Sequence, residues 1–196
     1  MKTNRQDPTV PTPKIPDESS SLASLLRRYA TLGNDADFAR VGTWARRELR
    51  GYDDAALDDL PAYRLVETPP KGLEVDAKGS GWMTRGERVD EYRLPEACRA
   101  WVPERVPLRH GVDEIESLIA ARTRFDNFIA VSPPRAEEIA LSLTEKVRPP
   151  HGDFTVTAVY WSVPYAALSG LLERIREQLS QLVAEAGAVL PDGQRV

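Results

Sequence analysis

Few residues in this chain have the types and spacing to do chemistry. Asp76-Ala77-Lys78 sets a carboxylate two positions before an ammonium, with Asp58 and Asp59 upstream. In a metal-dependent nuclease that arrangement lets a divalent ion activate water while the lysine steadies the developing charge. Strings of acid, any residue and lysine arise often by chance, and no helix bearing a second carboxylate is legible, so the motif supports only an alternative reading. Arg40, Thr43, Arg47 and Arg50 recur at spacings of three, four and three, which makes a basic outer face if the segment is helical. Such a run is usually a solvated face, and its rival use is contact with an anion, a nucleotide or a partner. The lone Cys98 lies in an amphipathic segment and reads as a small apolar filler rather than a nucleophile. His110 and His151 are isolated and each precedes a glycine, so His151-Gly152-Asp153 reads as a turn rather than a His/Asp pair. The sequence holds no GxxxxGK[ST], GxGxxG, HExxH or CxxC string, so no metal, cofactor or catalytic group is assigned.

The elements that must position these residues begin with Leu22, Leu25, Leu26 and Tyr29, which have helical spacing up to a turn at Gly33-Asn34. Asn34 or Asp35 caps a second helix whose apolar face is Phe38, Val41, Ala45 and Leu49 with Trp44 beside them. The short connection makes the two helices an antiparallel hairpin. Within "TWARRELRGY", residues 43–52, arginines occupy the last turn and Gly51 follows the last periodic residue, which marks a helix C-terminus. The acidic run "DDAALDD" just beyond is placed to neutralise part of the basic face.

Between Leu60 and Arg93 the period changes to short, Pro- and Gly-broken, partly alternating segments, a small sheet. "GSGWMTRG" reads as a hairpin or loop, "LPEACRAWVP" as one helical turn or two, and "GVDEIESLIAAR" as a helix burying Val112, Ile115, Leu118 and Ile119. "FDNFIAVS" reads as a strand, with Ser132-Pro133 opening a helix that buries Ala136, Ile139, Ala140, Leu143 and Val147. "FTVTAVYWSV" reads as a strand with Trp161 as a core anchor, after which Ser162 and Pro164 begin a long helix. The stripe of that helix is Leu168, Leu171, Leu172, Ile175, Leu179, Leu182 and Val183. At roughly 1.5 to 3 kcal/mol per buried side chain, this stripe outweighs any surface contact in deciding the fold. The fold class is therefore α+β: an N-terminal helical hairpin and a long C-terminal helix packed with a small, mostly antiparallel sheet.

With 41% hydrophobic and 29% charged residues in 196, the chain has the composition of one globular domain with a sizeable core. A formal net charge of -4 argues against a dedicated nucleic-acid binder. Pro8, Pro11, Pro13 and Pro16 in a segment poor in large apolar residues make residues 1–20 a flexible leader. Gly187 and Pro191 are helix-stop signals that set off a tail from residue 187. The N-terminus lacks the apolar core of a secretory signal, no run approaches the roughly 18 to 20 apolar residues of a membrane span, and one cysteine fits a reducing, cytoplasmic setting.

Taken together, "SLLRRYATLG", "DFARVGTWARRELRGYDDAALDDLPAYR" and, far downstream, "VYWSVPYAALSGLLERIREQL" resemble the AbiTii domain family of bacterial abortive-infection, antiphage proteins. The resemblance rests on Leu25, Leu26, Trp44, Glu48, Leu49, Gly51 and Tyr52, then on Leu60, Pro61, Tyr63 and Arg64. It resumes at Trp161, Leu168, Leu172, Ile175, Arg176 and Leu179, spanning residues 21–186 with the middle, 65–150, alike only in outline. It implies a role in phage defence, free-standing or as a module beside an effector, and brings no catalytic residues. Glu48 and Arg64 are the charged positions of its N-terminal part, expected to pair and to hold the two-helix unit, with Trp44, onto the closing helix. The rival is a small polar site lined by Glu48, Tyr63 and Arg64. The function expected is a non-catalytic interaction or regulatory module that meets a protein partner or itself, with a metal-dependent nuclease or a nucleotide sensor as alternatives.

Overall fold

The computed structural model describes residues 21–32, 38–67, 73–90, 93–124, 127–147 and 153–188. The expected leader, the Gly33-Asn34 turn with its caps, His151 and Pro191 lie outside them. Helices α1 (Leu22–Leu32) and α2 (Ala39–Arg50) pack as the N-terminal hairpin, α1 burying Leu22, Ala23, Leu25, Leu26 and Tyr29. On α2 the buried positions are Val41, Gly42, Ala45 and Glu48, so a carboxylate occupies a place in an otherwise apolar stripe. A 3-10 turn at Leu57–Asp59 and another at Ala62–Arg64 lead into β1 (Leu65–Val66).

The sheets are antiparallel throughout. One has the order β3 (Trp82–Val89), β2 (Leu73–Gly79), β6 (Phe154–Pro164), β5 (Phe128–Val131), and the other pairs β1 with β4 (Val106–Pro107). Alternation puts Leu73, Val75 and Ala77 of β2 on the buried face beside Val156, Val159, Trp161 and Val163 of β6, while Glu74, Asp76 and Lys78 take the other face. Ladder registers on both sides of β2 shift next to Asp76, so that β3 and β6 each carry an extra residue there. Helix α3 (Glu96–Arg99) is one turn, and α4 (Val112–Ala120) buries Val112 and Ile115. Helix α5 (Ala136–Val147) lies on β6 with Ile139 and Leu143 buried, and α6 (Tyr165–Ala188) buries Leu168, Leu171, Ile175, Leu179 and Leu182.

Three expected boundaries move. Ser162 and Pro164 do not open α6. The β5–β6 pairing runs through Pro164 opposite Phe128, and the Ser162 hydroxyl donates across the sheet to Glu74 Oε2 at 2.6 Å instead of capping a helix. Helix α5 starts at Ala136, not at Ser132-Pro133, because Pro134 disfavours helical geometry at the residue before it. Its first hydrogen bond runs from Ile139 N–H to the carbonyl of Arg135, which takes a left-handed φ of 57°. Gly187 does not stop α6, which continues to Ala188.

Candidate functional site

The polar core begins with the way α2 ends. Gly51 takes φ 85° and donates its N–H to the Arg47 carbonyl, closing the helix as the sequence suggests. A Cβ on Gly51 would sit 2.5 Å from the Arg109 carbonyl oxygen, and one on Gly111 would meet the carbonyl of Leu49. Two glycines thus let the end of α2 lie against residues 109–111, backbone on backbone. Tyr52 seals the contact: its N–H donates to Arg109 O at 2.7 Å, and Arg109 Nη1 returns bonds to the carbonyls of Tyr52 at 2.8 Å and Ala55 at 2.6 Å.

Glu48 and Arg64 meet inside this joint, both side chains fully excluded from solvent. Glu48 Oε2 accepts from Arg64 Nη2, and Oε1 accepts from the Tyr52 and Tyr63 hydroxyls, each at 2.7 Å. Trp44 Nε1 donates to the Tyr63 oxygen at 3.1 Å, so all five residues of the motif form one chain of hydrogen bonds. Arg64 Nη1 donates to the carbonyls of Leu108 at 3.1 Å and His110 at 2.6 Å, and its guanidinium carbon lies 4.8 Å from the centre of the Tyr52 ring. Arg64 Nε and His110 Nδ1 are buried without a partner among the described residues.

Burial, reinforced by the Glu48 carboxylate, pushes the Tyr52 and Tyr63 phenols well above the usual tyrosine range. Phenols held neutral are poor nucleophiles and poor bases, and a carboxylate whose two oxygens already accept three donors is not presented to a substrate. These hydrogen bonds fasten α2 to the 62–64 turn and to the segment entering α4. None reaches the closing helix, which packs against α2 and the 62–64 turn through other contacts. The hairpin thus lies against α6 as expected, but these polar groups do not fasten it there. The residues that receive Arg64, Leu108 and His110, carry no side-chain pattern that marks them in sequence, because they act through their carbonyls.

The basic face of α2 is engaged from within the chain. Arg47 Nη1 and Arg50 Nη2 lie 2.7 and 3.4 Å from the two oxygens of Asp54, and Arg40 lies 3.4 Å from Glu185. The hydrogen bond from Arg47 holds the Asp54 carboxyl below its ordinary range. Arg47 also stands 4.7 Å from the centre of the Tyr52 ring. On the outer face of the sheet, Asp76 Oδ1 accepts from Gly86 N–H at 3.0 Å and from the Tyr160 hydroxyl at 2.8 Å, while Lys78 is exposed. Burial and that bond push the Tyr160 phenol up to about 12. Asp58 and Asp59 sit in the 3-10 turn before Leu60, and among the described residues no three His, Cys, Asp or Glu side chains gather as they would around a metal. Cys98 is buried.

Among the described residues no helix is long and apolar enough to cross a membrane. No curated protein and no solved structure matches the chain. A family model does, AbiTii, over residues 14–187, which takes in the hairpin, both sheets and nearly all of α6. By that match the chain belongs to the AbiTii family, whose role is abortive infection, an antiphage defence.

Proposed function

We propose that this chain serves abortive infection as a non-catalytic interaction or regulatory module, meeting a protein partner or a second copy of itself in the cytoplasm. The observation that carries the reading is the burial of the motif: Glu48 and Arg64 have no exposed surface, and the Glu48 carboxylate is taken up by Arg64, Tyr52 and Tyr63. Residues so enclosed shape a surface rather than turn over a substrate. The pairing of Arg47 and Arg50 with Asp54 likewise weighs against a nucleotide held on the face of α2.

The test pairs chemistry with protection. Purified protein is incubated with DNA and RNA in the presence of magnesium or manganese, and cells carrying Asp76→Ala or Lys78→Ala are challenged with phage. The module reading expects no cleavage and undiminished protection. Metal-dependent cleavage that both substitutions abolish would establish the nuclease alternative in its place.

A further inference from the structure

Between β1 and the first half of α6 runs a groove of about 460 Å³. Its floor is aliphatic, made by Leu65, Val66 and Leu171, and its α6 wall is low because Ala166, Ala167 and Gly170 succeed one another there. Arg105 and Arg174 stand at its rim, both exposed and neither held by a carboxylate among the described residues. Arg27, Arg40, Arg47, Arg50, Arg93 and Arg135, by contrast, each lie within ion-pair distance of an acid. With Glu67 the one acidic residue lining it among the described residues, the groove is locally basic there on a chain of net charge -4.

Gly170 adds a second observation. Glycine is the poorest helix former after proline, and it stands here inside a 24-residue helix. Packing does not require it, since a Cβ built on Gly170 would meet no atom within 4 Å. What its missing side chain does is keep the groove open to a close approach.

Resting on the module reading above, we propose that this groove docks an acidic, aliphatic segment of a partner protein. Carboxylates of the segment pair with Arg105 and Arg174 across the rim, and its aliphatic side chains cover Leu65, Val66 and Leu171. Bidentate guanidinium–carboxylate pairing sets register, and the apolar floor supplies area that charge alone would not. Among the described residues the groove has no aromatic lining on which a nucleobase would stack, which favours a peptide over a nucleotide.

The experiment measures fluorescence anisotropy of a labelled peptide of alternating leucine and glutamate, and of its leucine–lysine counterpart, on the full chain and on two variants. Arg105→Glu/Arg174→Glu reverses the rim, and Gly170→Leu fills the groove from a helix position with open space above it. The acidic peptide is expected to bind the natural chain, to weaken roughly tenfold or more on the reversed rim, and to yield there to the lysine peptide. Gly170→Leu is expected to lose the acidic peptide while its melting temperature stays at or above that of the natural chain. No saturable binding of the acidic peptide at millimolar concentration, or binding indifferent to Gly170→Leu, overturns the proposal. Equal competition by inorganic phosphate alone overturns it in favour of a small-anion site. The two readings fail separately, because cleavage of nucleic acid by a chain that still docks the acidic peptide would sink the module and leave the groove.

Discussion

Replacing Glu48 by leucine removes one partner of an ion pair with no exposed surface and strands the other. Arg64 keeps its bonds to the Leu108 and His110 carbonyls, but its charge loses the carboxylate it touches, and two phenols lose their acceptor. Breaking a buried pair from one side costs about 3–5 kcal/mol. For a domain of this length each kcal/mol moves the melting temperature by roughly 2–4 °C, so Glu48→Leu should melt about 6–20 °C lower. Arg64→Met should fall in a similar range. The double substitution removes both charges at once and should cost less than the sum of the singles, with a coupling of about 2 kcal/mol. Urea unfolding followed by circular dichroism, with the four chains compared at constant slope, measures the cycle. Additive singles, or a Glu48→Leu chain within about 1 kcal/mol of the natural one, would refute the account of the pair as a structural lock. So would a Glu48→Leu chain of full stability that no longer protects cells from phage, since that outcome belongs to a working polar site.

Further expectations follow from the same joint. Gly51→Ala forces a methyl group toward the Arg109 carbonyl at a left-handed φ and should destabilise by about 1–3 kcal/mol, as should Gly111→Ala against the Leu49 carbonyl. Gly187→Ala, at a helix position with open space, should be neutral or stabilising by thermal melt, and equal losses at all three sites would contradict the close approach. The folded chain keeps the Tyr52 and Tyr63 protons that the unfolded chain surrenders near pH ~10, so their contribution is complete below that pH and is lost as the pH rises through the folded values. Urea unfolding on either side of pH ~10 should show that fall, Tyr63→Phe should lessen its slope, and an ultraviolet titration in which every phenol of the folded chain ionises near ~10 would be incompatible with it.

Local periodicity made the helical part legible. The stripes of α1 and α6 are continuous over several turns, and the structure buries that of α1 in full and that of α6 except Leu172 and Val183, which are half-buried. Glu48 was readable in principle, because positions 41, 45 and 48 share one helical face and a carboxylate there is an exception to it. Its phenolic partner Tyr52 is four residues on, within reach of sequence reasoning, but Arg64 is received by backbone carbonyls at 108 and 110, and a carbonyl leaves no trace in residue type. The start of α5 moved for a local reason, Pro134, and that of α6 for a long-range one. Ser162 and Pro164 carry a helix-start signal, yet the ladder to β5 continues past them, with Tyr165 N–H still directed at the Asn127 carbonyl at 3.4 Å. The groove was illegible for a similar reason, since Arg105 and Arg174 are 69 positions apart (174 minus 105) and only the packing of α6 beside the 62–64 turn brings them to one rim.

The lock and the groove are mechanically one device. Arg64 is the last residue of the 62–64 turn, and β1, which floors the groove, begins at the next residue. Its carbonyl accepts the Leu108 N–H at 2.9 Å while its side chain donates to the Leu108 carbonyl, so β1 is fixed to the strand that follows Arg105. Apolar residues of similar volume could match the stability of the Glu48–Arg64 pair, but they would not specify which carbonyls the turn must face. A Glu48→Leu/Arg64→Met chain that recovers most of its stability should therefore still bind the acidic peptide less well than the natural chain, because β1 loses its register against β4. Full recovery of both together would mean that the ion pair contributes free energy alone and that packing sets the groove without it.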